Sequence, residues 1–207
     1  IENKIRDLRN PDGSLNLQTF AEMQNHFFLG GGTDVNSSVE LPEGAAIKIM
    51  PNMPVDLNAH YFNKTKLVLQ GENYVNFHTI PASSVKHEVK MLDLNNINFT
   101  LPPNQRKTVT KNFTFSEKTN ILLLTSHNHK LGEKFIIKIF GGPRNGEIIY
   151  ENTDWEHPLT KLFPNPIILN PGEGLTSEVT YNNTTNRTIS FGFTSEDEMN
   201  IIFGYYY

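Results

Sequence analysis

The 207 residues carry 18 Lys and Arg against 22 Asp and Glu, a net charge of −4 with a pI near 6.0. No basic cluster is interleaved with aromatics, so a nucleic-acid partner has no support. Hydrophobic content of 37% with 14 Phe and 7 Tyr argues against global disorder. No apolar run approaches the roughly 18 residues of a membrane span, and the absence of cysteine excludes disulfides, thiolate metal sites and cysteine nucleophiles but not export.

In chain order, the opening Ile1-Glu2-Asn3-Lys4-Ile5 has no initiating Met, basic n-region or signal h-region. Of a removed leader and a piece of a longer protein, the second is the expectation adopted here. Residues 1–45 are polar and turn-rich, with one short helical turn expected at Gln18–Met23. A short strand is expected at Ala46–Ile49. Val55–Phe62 then alternates, with Val55, Leu57, Ala59 and Tyr61 on one face and His60 on the other beside Asp56 and Asn58. A domain boundary is placed near residue 67.

Further strands are predicted at Tyr74–Ile80, His87–Leu92, Lys107–Phe115, Asn120–His129, Lys134–Phe140, Glu147–Tyr150, Ile167–Leu169, Leu175–Tyr181, Thr188–Phe193 and Met199–Tyr206. Turn sequences separate them, among them Gly141-Gly142-Pro143-Arg144-Asn145-Gly146 and Asn170-Pro171-Gly172-Glu173-Gly174. Short strands with Gly, Pro and Asn punctuation and no strong helical period predict an all-β, antiparallel β-sandwich.

The candidate chemistry lies at Thr125-Ser126-His127-Asn128-His129-Lys130, where the apolar run Ile121–Leu124 leaves the core. Side chains two apart on a strand share a face, so His127 and His129 project together and suit a copper, zinc, iron or nickel ion. Two unrelated surface histidines near a turn would give the same short pattern. A third ligand must decide, and Met199 is the candidate, placed at a sheet rim after Ser195-Glu196-Asp197-Glu198. A thioether is a poor zinc ligand and a good Cu(I) ligand, so two His and one Met would specify copper; a core-filling Met is the alternative.

Three stretches then match a known family in order and spacing: Ser126-His127-Asn128-His129-Lys130-Leu131-Gly132, Asn170–Gly174, and Ser195–Met199 followed by Tyr205-Tyr206-Tyr207. Over residues 67–207 the chain resembles the catalytic domain of the copper type II, ascorbate-dependent monooxygenases. Tyr150–Pro158 is similar to a segment of their bacterial branch. The resemblance implies a catalytic copper held by His127, His129 and Met199, with O₂ and a small organic substrate hydroxylated at a C–H bond. It also implies a second, electron-transfer copper held by three histidines of a preceding domain. Pro42-Glu43-Gly44 followed by Ala59-His60-Tyr61 matches one of its elements, so His60 is the expected ligand. The adjacent histidine pair that would complete it is missing; His26 is the only other upstream histidine.

The expected architecture is therefore two antiparallel, jelly-roll-like β-sandwich domains. Residues 1–66 form the C-terminal part of an incomplete electron-transfer domain, and residues 67–207 form the catalytic domain. The upstream part of the same protein would complete the first. Ascorbate or another donor would supply electrons, and the location would be periplasmic or extracellular, at the surface of a bacterium. In the peptide-hydroxylating members an Arg, an Asn and a Tyr grip a substrate carboxylate; here Thr125, Ile201 and Phe203 stand there. None pairs with a carboxylate as Arg does, which disfavours a glycine-ended peptide.

The other histidines read as structural: His78 as a strand residue, His87 as solvated and His157 as part of a loop, with orienting a ligand or binding a second-site metal as its sharper alternatives. Glu196, Asp197 and Glu198 read as a solvated loop. No G-x-S-x-G occurs to support a hydrolase. A non-catalytic copper-binding module and a β-sandwich used for surface adhesion remain the alternative functions.

Overall fold

The computed structural model describes residues 10–12, 16–18, 29–32, 36–55, 57, 63, 65–192 and 194–207. The chain divides into two compact units, Ile1–His26 with Leu41–Glu88, and Phe27–Glu40 with Val89–Tyr207. Among the described residues no helix is long and apolar enough to cross a membrane.

In the first unit, strand β1 (Ala45–Ile47) follows a turn in which Ala45 N–H donates to the Pro42 carbonyl at 2.9 Å. The Gly44 carbonyl accepts the N–H groups of Lys86 and His87 at 2.7 and 3.0 Å, just after a 3₁₀ turn at Ala82–Ser84. The strand predicted at Tyr74–Ile80 does not form: Tyr74, Val75, Phe77 and Ile80 are exposed and no ladder pairs them. Alternation alone cannot make a strand without an edge to bond to. Most of Val55–Phe62, His60 included, and most of Gln18–Met23 lie outside the described residues.

The second unit is an antiparallel sandwich. Its main strands are β2 (His87–Asn95), β4 (Gln105–Thr114), β5 (Thr119–His127), β6 (Gly132–Phe140), β7 (Ile148–Asn152), β8 (Lys161–Leu169), β9 (Gly174–Asn183) and β11 (Ile201–Tyr206). One sheet runs β2, β11, β5, β8 and the other β4, β9, β6, β7. Among these eight strands the orders are first-eighth-third-sixth and second-seventh-fourth-fifth, the connectivity of a jelly roll. The all-β, antiparallel expectation therefore holds. Two short strands, β3 (Thr100–Leu101) and β10 (Ile189–Ser190), pair with each other.

The core lies between the sheets. Ile121 and Leu124 of β5 and Ile202 of β11 meet Phe135, Ile137 and Ile139 of β6 and Leu175, Val179 and Tyr181 of β9. Phe99 stacks on Tyr181 with ring centroids 5.5 Å apart. Each fully buried aliphatic side chain contributes about 1.5–3 kcal/mol relative to exposure. Strand β8 begins six residues earlier than predicted and includes Pro164 and Pro166. It lies at the sheet edge, where a proline's missing N–H costs no ladder bond.

The face that matters for function follows from one side chain. Ser126 is buried and its Oγ lies 3.0 Å from the Tyr150 hydroxyl inside the sandwich. His127, the next residue along β5, therefore points to the outer face. Ile201 and Phe203 of β11 lie opposite His127 and Thr125 in register, so they share that face.

Candidate metal centre

Strand β5 ends at His127, two residues short of the predicted His129. Beyond it Asn128–Leu131 folds into a tight turn closed by Gly132 N–H donating to the His129 carbonyl at 3.0 Å. The two imidazoles still meet: their ring centroids lie 5.2 Å apart at an interplanar angle of 83°. Phe203 closes one side, its ring centroid 6.4 Å from that of His127. Tyr205, further along the same face, donates its hydroxyl to the Leu29 carbonyl at 2.6 Å.

Burial, and then the neighbouring His129, push the His127 pKa down to about 4, so its ring is neutral and its lone pair available at neutral pH. His129 Nδ1 lies 2.8 Å from the Asp197 carbonyl oxygen. Since a carbonyl can only accept, Nδ1 carries a proton, and of the two ring nitrogens Nε2 is the one not committed to this bond.

This depression predicts a pH effect on the metal-free protein. The unfolded chain protonates His127 near its ordinary 6.5, while the folded chain resists down to about 4. Between these values the unfolded state binds more protons, so the His127 contribution to stability falls on acidification, by on the order of 3 kcal/mol across the window. Buried Glu198, whose pKa is raised chiefly by desolvation, acts with the opposite sign. The measurement is therefore the difference in unfolding free energy between the parent and His127→Gln, which should narrow in the variant's favour as pH falls from 6.5 to 4. A flat difference contradicts the burial of a neutral His127.

Met199 is 7% exposed and lies just before β11, two residues ahead of Ile201, the register partner of His127. The predicted rim position is thus a buried one, at the end of the sheet where β5 delivers its histidines. Among the described residues, His, Cys, Asp and Glu side chains nowhere gather in a group of three able to hold a metal.

What ties these segments together is Glu198, which the sequence reading left in a solvated loop. It is 0% exposed. Its Oε2 accepts the His129 N–H at 2.9 Å and the Met199 N–H at 3.3 Å, and its Oε1 accepts the Leu131 N–H at 2.7 Å. Tyr181, also fully buried, donates its hydroxyl to the Met199 carbonyl at 2.5 Å. Of the other two acids, Glu196 is exposed and pairs with Lys130 at 2.6 Å, while Asp197 is half-buried and its Oδ2 accepts the Thr194 hydroxyl at 2.6 Å. Nothing in the pattern Glu196-Asp197-Glu198 marks the third acid as the buried one. Only its position beside a candidate ligand hints at it.

His157 is exposed, with Nδ1 3.3 Å from Asp154 Oδ2, while Asp154 Oδ1 accepts the N–H groups of Glu156 and His157. That is a side-chain-capped turn, the structural reading. His78 is exposed.

No curated protein matches the chain. Among solved structures, a family 35 carbohydrate-binding module from Clostridium thermocellum is similar at 17% identity and a TM-score of 0.21, covering 50% of this chain and 72% of that one. Residues 70–207 match the model of the copper type II ascorbate-dependent monooxygenase C-terminal domain. The chain belongs to the copper type II ascorbate-dependent monooxygenase family, of whose C-terminal domain it carries residues 70–207.

Proposed function

We propose that His127, His129 and Met199 hold one copper ion and that the chain is a monooxygenase that hydroxylates a C–H bond of a small organic substrate with O₂. The observation that carries this reading is the edge-to-face His127–His129 pair at 5.2 Å, with His129 Nδ1 committed to the Asp197 carbonyl. The donor set fits: two imidazoles and a thioether suit Cu(I) and leave a coordination position open. Bound there, copper supplies the one-electron redox chemistry that activates O₂ toward a substrate C–H bond.

The protein's own residues then bind and orient. His129 is fixed in one tautomer by a backbone carbonyl, and its rotation is limited by that bond. Ile201, Phe203 and Thr125 form the wall beside His127, with two apolar side chains and one hydroxyl. Such a wall excludes water and offers no guanidinium for a carboxylate, so the substrate class we infer is small and uncharged on that side rather than a glycine-ended peptide. Residues 1–66 are read as part of the electron-transfer domain, with His60 as one ligand of a second copper, and residues 67–207 as the catalytic domain. Ascorbate or another external donor would supply electrons, in the periplasm or outside a bacterial cell.

The test is copper stoichiometry of the reduced, anaerobic chain together with X-ray absorption at the copper edge. One copper with nitrogen and a sulfur scatterer is expected. Met199→Leu conserves volume to within a modest cost and should keep the fold while removing the sulfur signal and weakening Cu(I) binding. Copper bound without sulfur, or a leucine variant that binds as tightly as the parent, removes Met199 from the site. No bound copper refutes the copper site and leaves a jelly roll of another purpose.

A further inference from the structure

We propose that Glu198 is the positioning residue of this centre, a buried strut that sets the separation of Met199 from His129. The inference rests on the copper reading above. A single carboxylate oxygen receives both the His129 and the Met199 N–H groups, and the other oxygen receives Leu131. Two segments 69 residues apart in sequence are thereby fastened through one side chain. The strut is itself anchored at its backbone: Glu198 N–H donates to the Ser190 carbonyl, and its carbonyl accepts the Gly192 N–H, both at 3.1 Å. Met199 is pinned on its other side by the Tyr181 hydroxyl on its carbonyl. A methionine side chain has three rotatable bonds and adapts freely. Fixing both of its flanking peptide groups sets where that side chain starts, so that only its own torsions are left to place the sulfur.

A carboxylate is needed because all three partners are donors. Glutamine keeps the shape but offers one oxygen and one NH₂, so in either orientation at least one backbone N–H faces another donor. Aspartate keeps the charge but falls a methylene short of spanning the gap. Loss of an outer partner of metal ligands typically lowers metal affinity about 10- to 100-fold.

The experiment compares the full chain with Glu198→Gln, Glu198→Asp, Tyr181→Phe and Glu196→Gln. Each is followed by circular dichroism, by Cu(I) competition with a chromogenic chelator, and by the sulfur shell at the copper edge. Glu198→Gln is expected to weaken Cu(I) about 10- to 100-fold and to lose or disorder the sulfur shell while the nitrogen shell persists. Glu198→Asp should weaken binding in the same sense, and Tyr181→Phe should disorder sulfur more mildly. Glu196→Gln removes the same charge from an exposed neighbour and should change neither readout. A folded Glu198→Gln with parental affinity and sulfur shell overturns the strut. If that variant fails to fold, Glu198→Asp decides on the same two readouts. Equal losses in Glu196→Gln would overturn it too, since general charge would then explain the effect. A parent that binds no copper refutes the metal centre itself, an outcome distinct from parental binding that survives loss of Glu198.

Discussion

Replacing either His127 or His129 with glutamine is expected to lower Cu(I) affinity by at least about 100-fold, beyond the range typical of outer partners, with the fold retained. Each substitution removes one of two nitrogen donors, and an amide is a poor ligand for a soft monovalent ion. Glutamine is chosen over alanine because it fills much of the imidazole volume. At position 127 any loss of copper then reports the missing donor rather than a cavity; at position 129 the Asp197 carbonyl also loses its Nδ1–H partner, since a glutamine NH₂ sits one bond further from Cβ than Nδ1 does. The control is His157→Gln, because His157 is exposed and tied only into its own turn through Asp154. Anaerobic competition titration with circular dichroism alongside would read all three. Parental affinity in His127→Gln, or an equal loss in His157→Gln, would place the copper elsewhere.

Sequence alone resolves much of this fold, and the exceptions have physical causes. The long strands of the sandwich were readable because apolar side chains alternate wherever one face is buried, as in Lys134–Phe140 and Leu175–Tyr181. Strand β8 extends back from the predicted Ile167–Leu169 to Lys161 and takes in Pro164 and Pro166, which an edge strand tolerates; periodicity does not say which strand is an edge. Tyr74–Ile80 fails for the reverse reason: it alternates and is aromatic, yet nothing pairs with it. At the candidate site the His and Met residue types and the H-x-H spacing were legible, since they are local. Glu198 and Tyr181 were not, because their roles depend on which strands meet: β11 lies beside β5, and Tyr181 reaches Met199 from the opposite sheet. Three consecutive acids look alike in sequence; the fold turns one inward and leaves Glu196 at the surface.

The closeness of β11 to β5 also makes Gly204 the position where a single methyl group should damage fold and site together. Gly204 sits opposite Leu124 of β5 and Leu92 of β2, in the strand that carries Ile201 and Phe203 past the histidines. A Cβ there would lie 2.2 Å from the Leu123 carbonyl oxygen and 3.1 Å from a Leu124 methyl. The nearer obstacle is backbone of the neighbouring strand, so it cannot swing aside as a side chain can. Gly204→Ala must push β11 away from β5, stretching ladder bonds at the centre of the sheet. Overpacking of this kind costs about 1–3 kcal/mol, and with backbone as the obstacle the upper end is expected. For a domain of this size about 3 kcal/mol lowers Tm by roughly 10 °C. Ile201, three residues before Gly204, faces His127 across the ladder, so the displacement also moves the Met199 end of β11 relative to the imidazoles. Cu(I) affinity should fall with Tm. Gly146→Ala separates the two effects: its φ of +86° makes alanine strained, at about 1–2 kcal/mol, but nothing lies within 4 Å of the added carbon and the position is in a turn remote in sequence from the site. That variant should lose some Tm and none of its copper. A Gly204→Ala protein that melts and binds copper as the parent does would mean that β11 can shift without disturbing the centre, and that Met199 is not held to the histidines through this pairing.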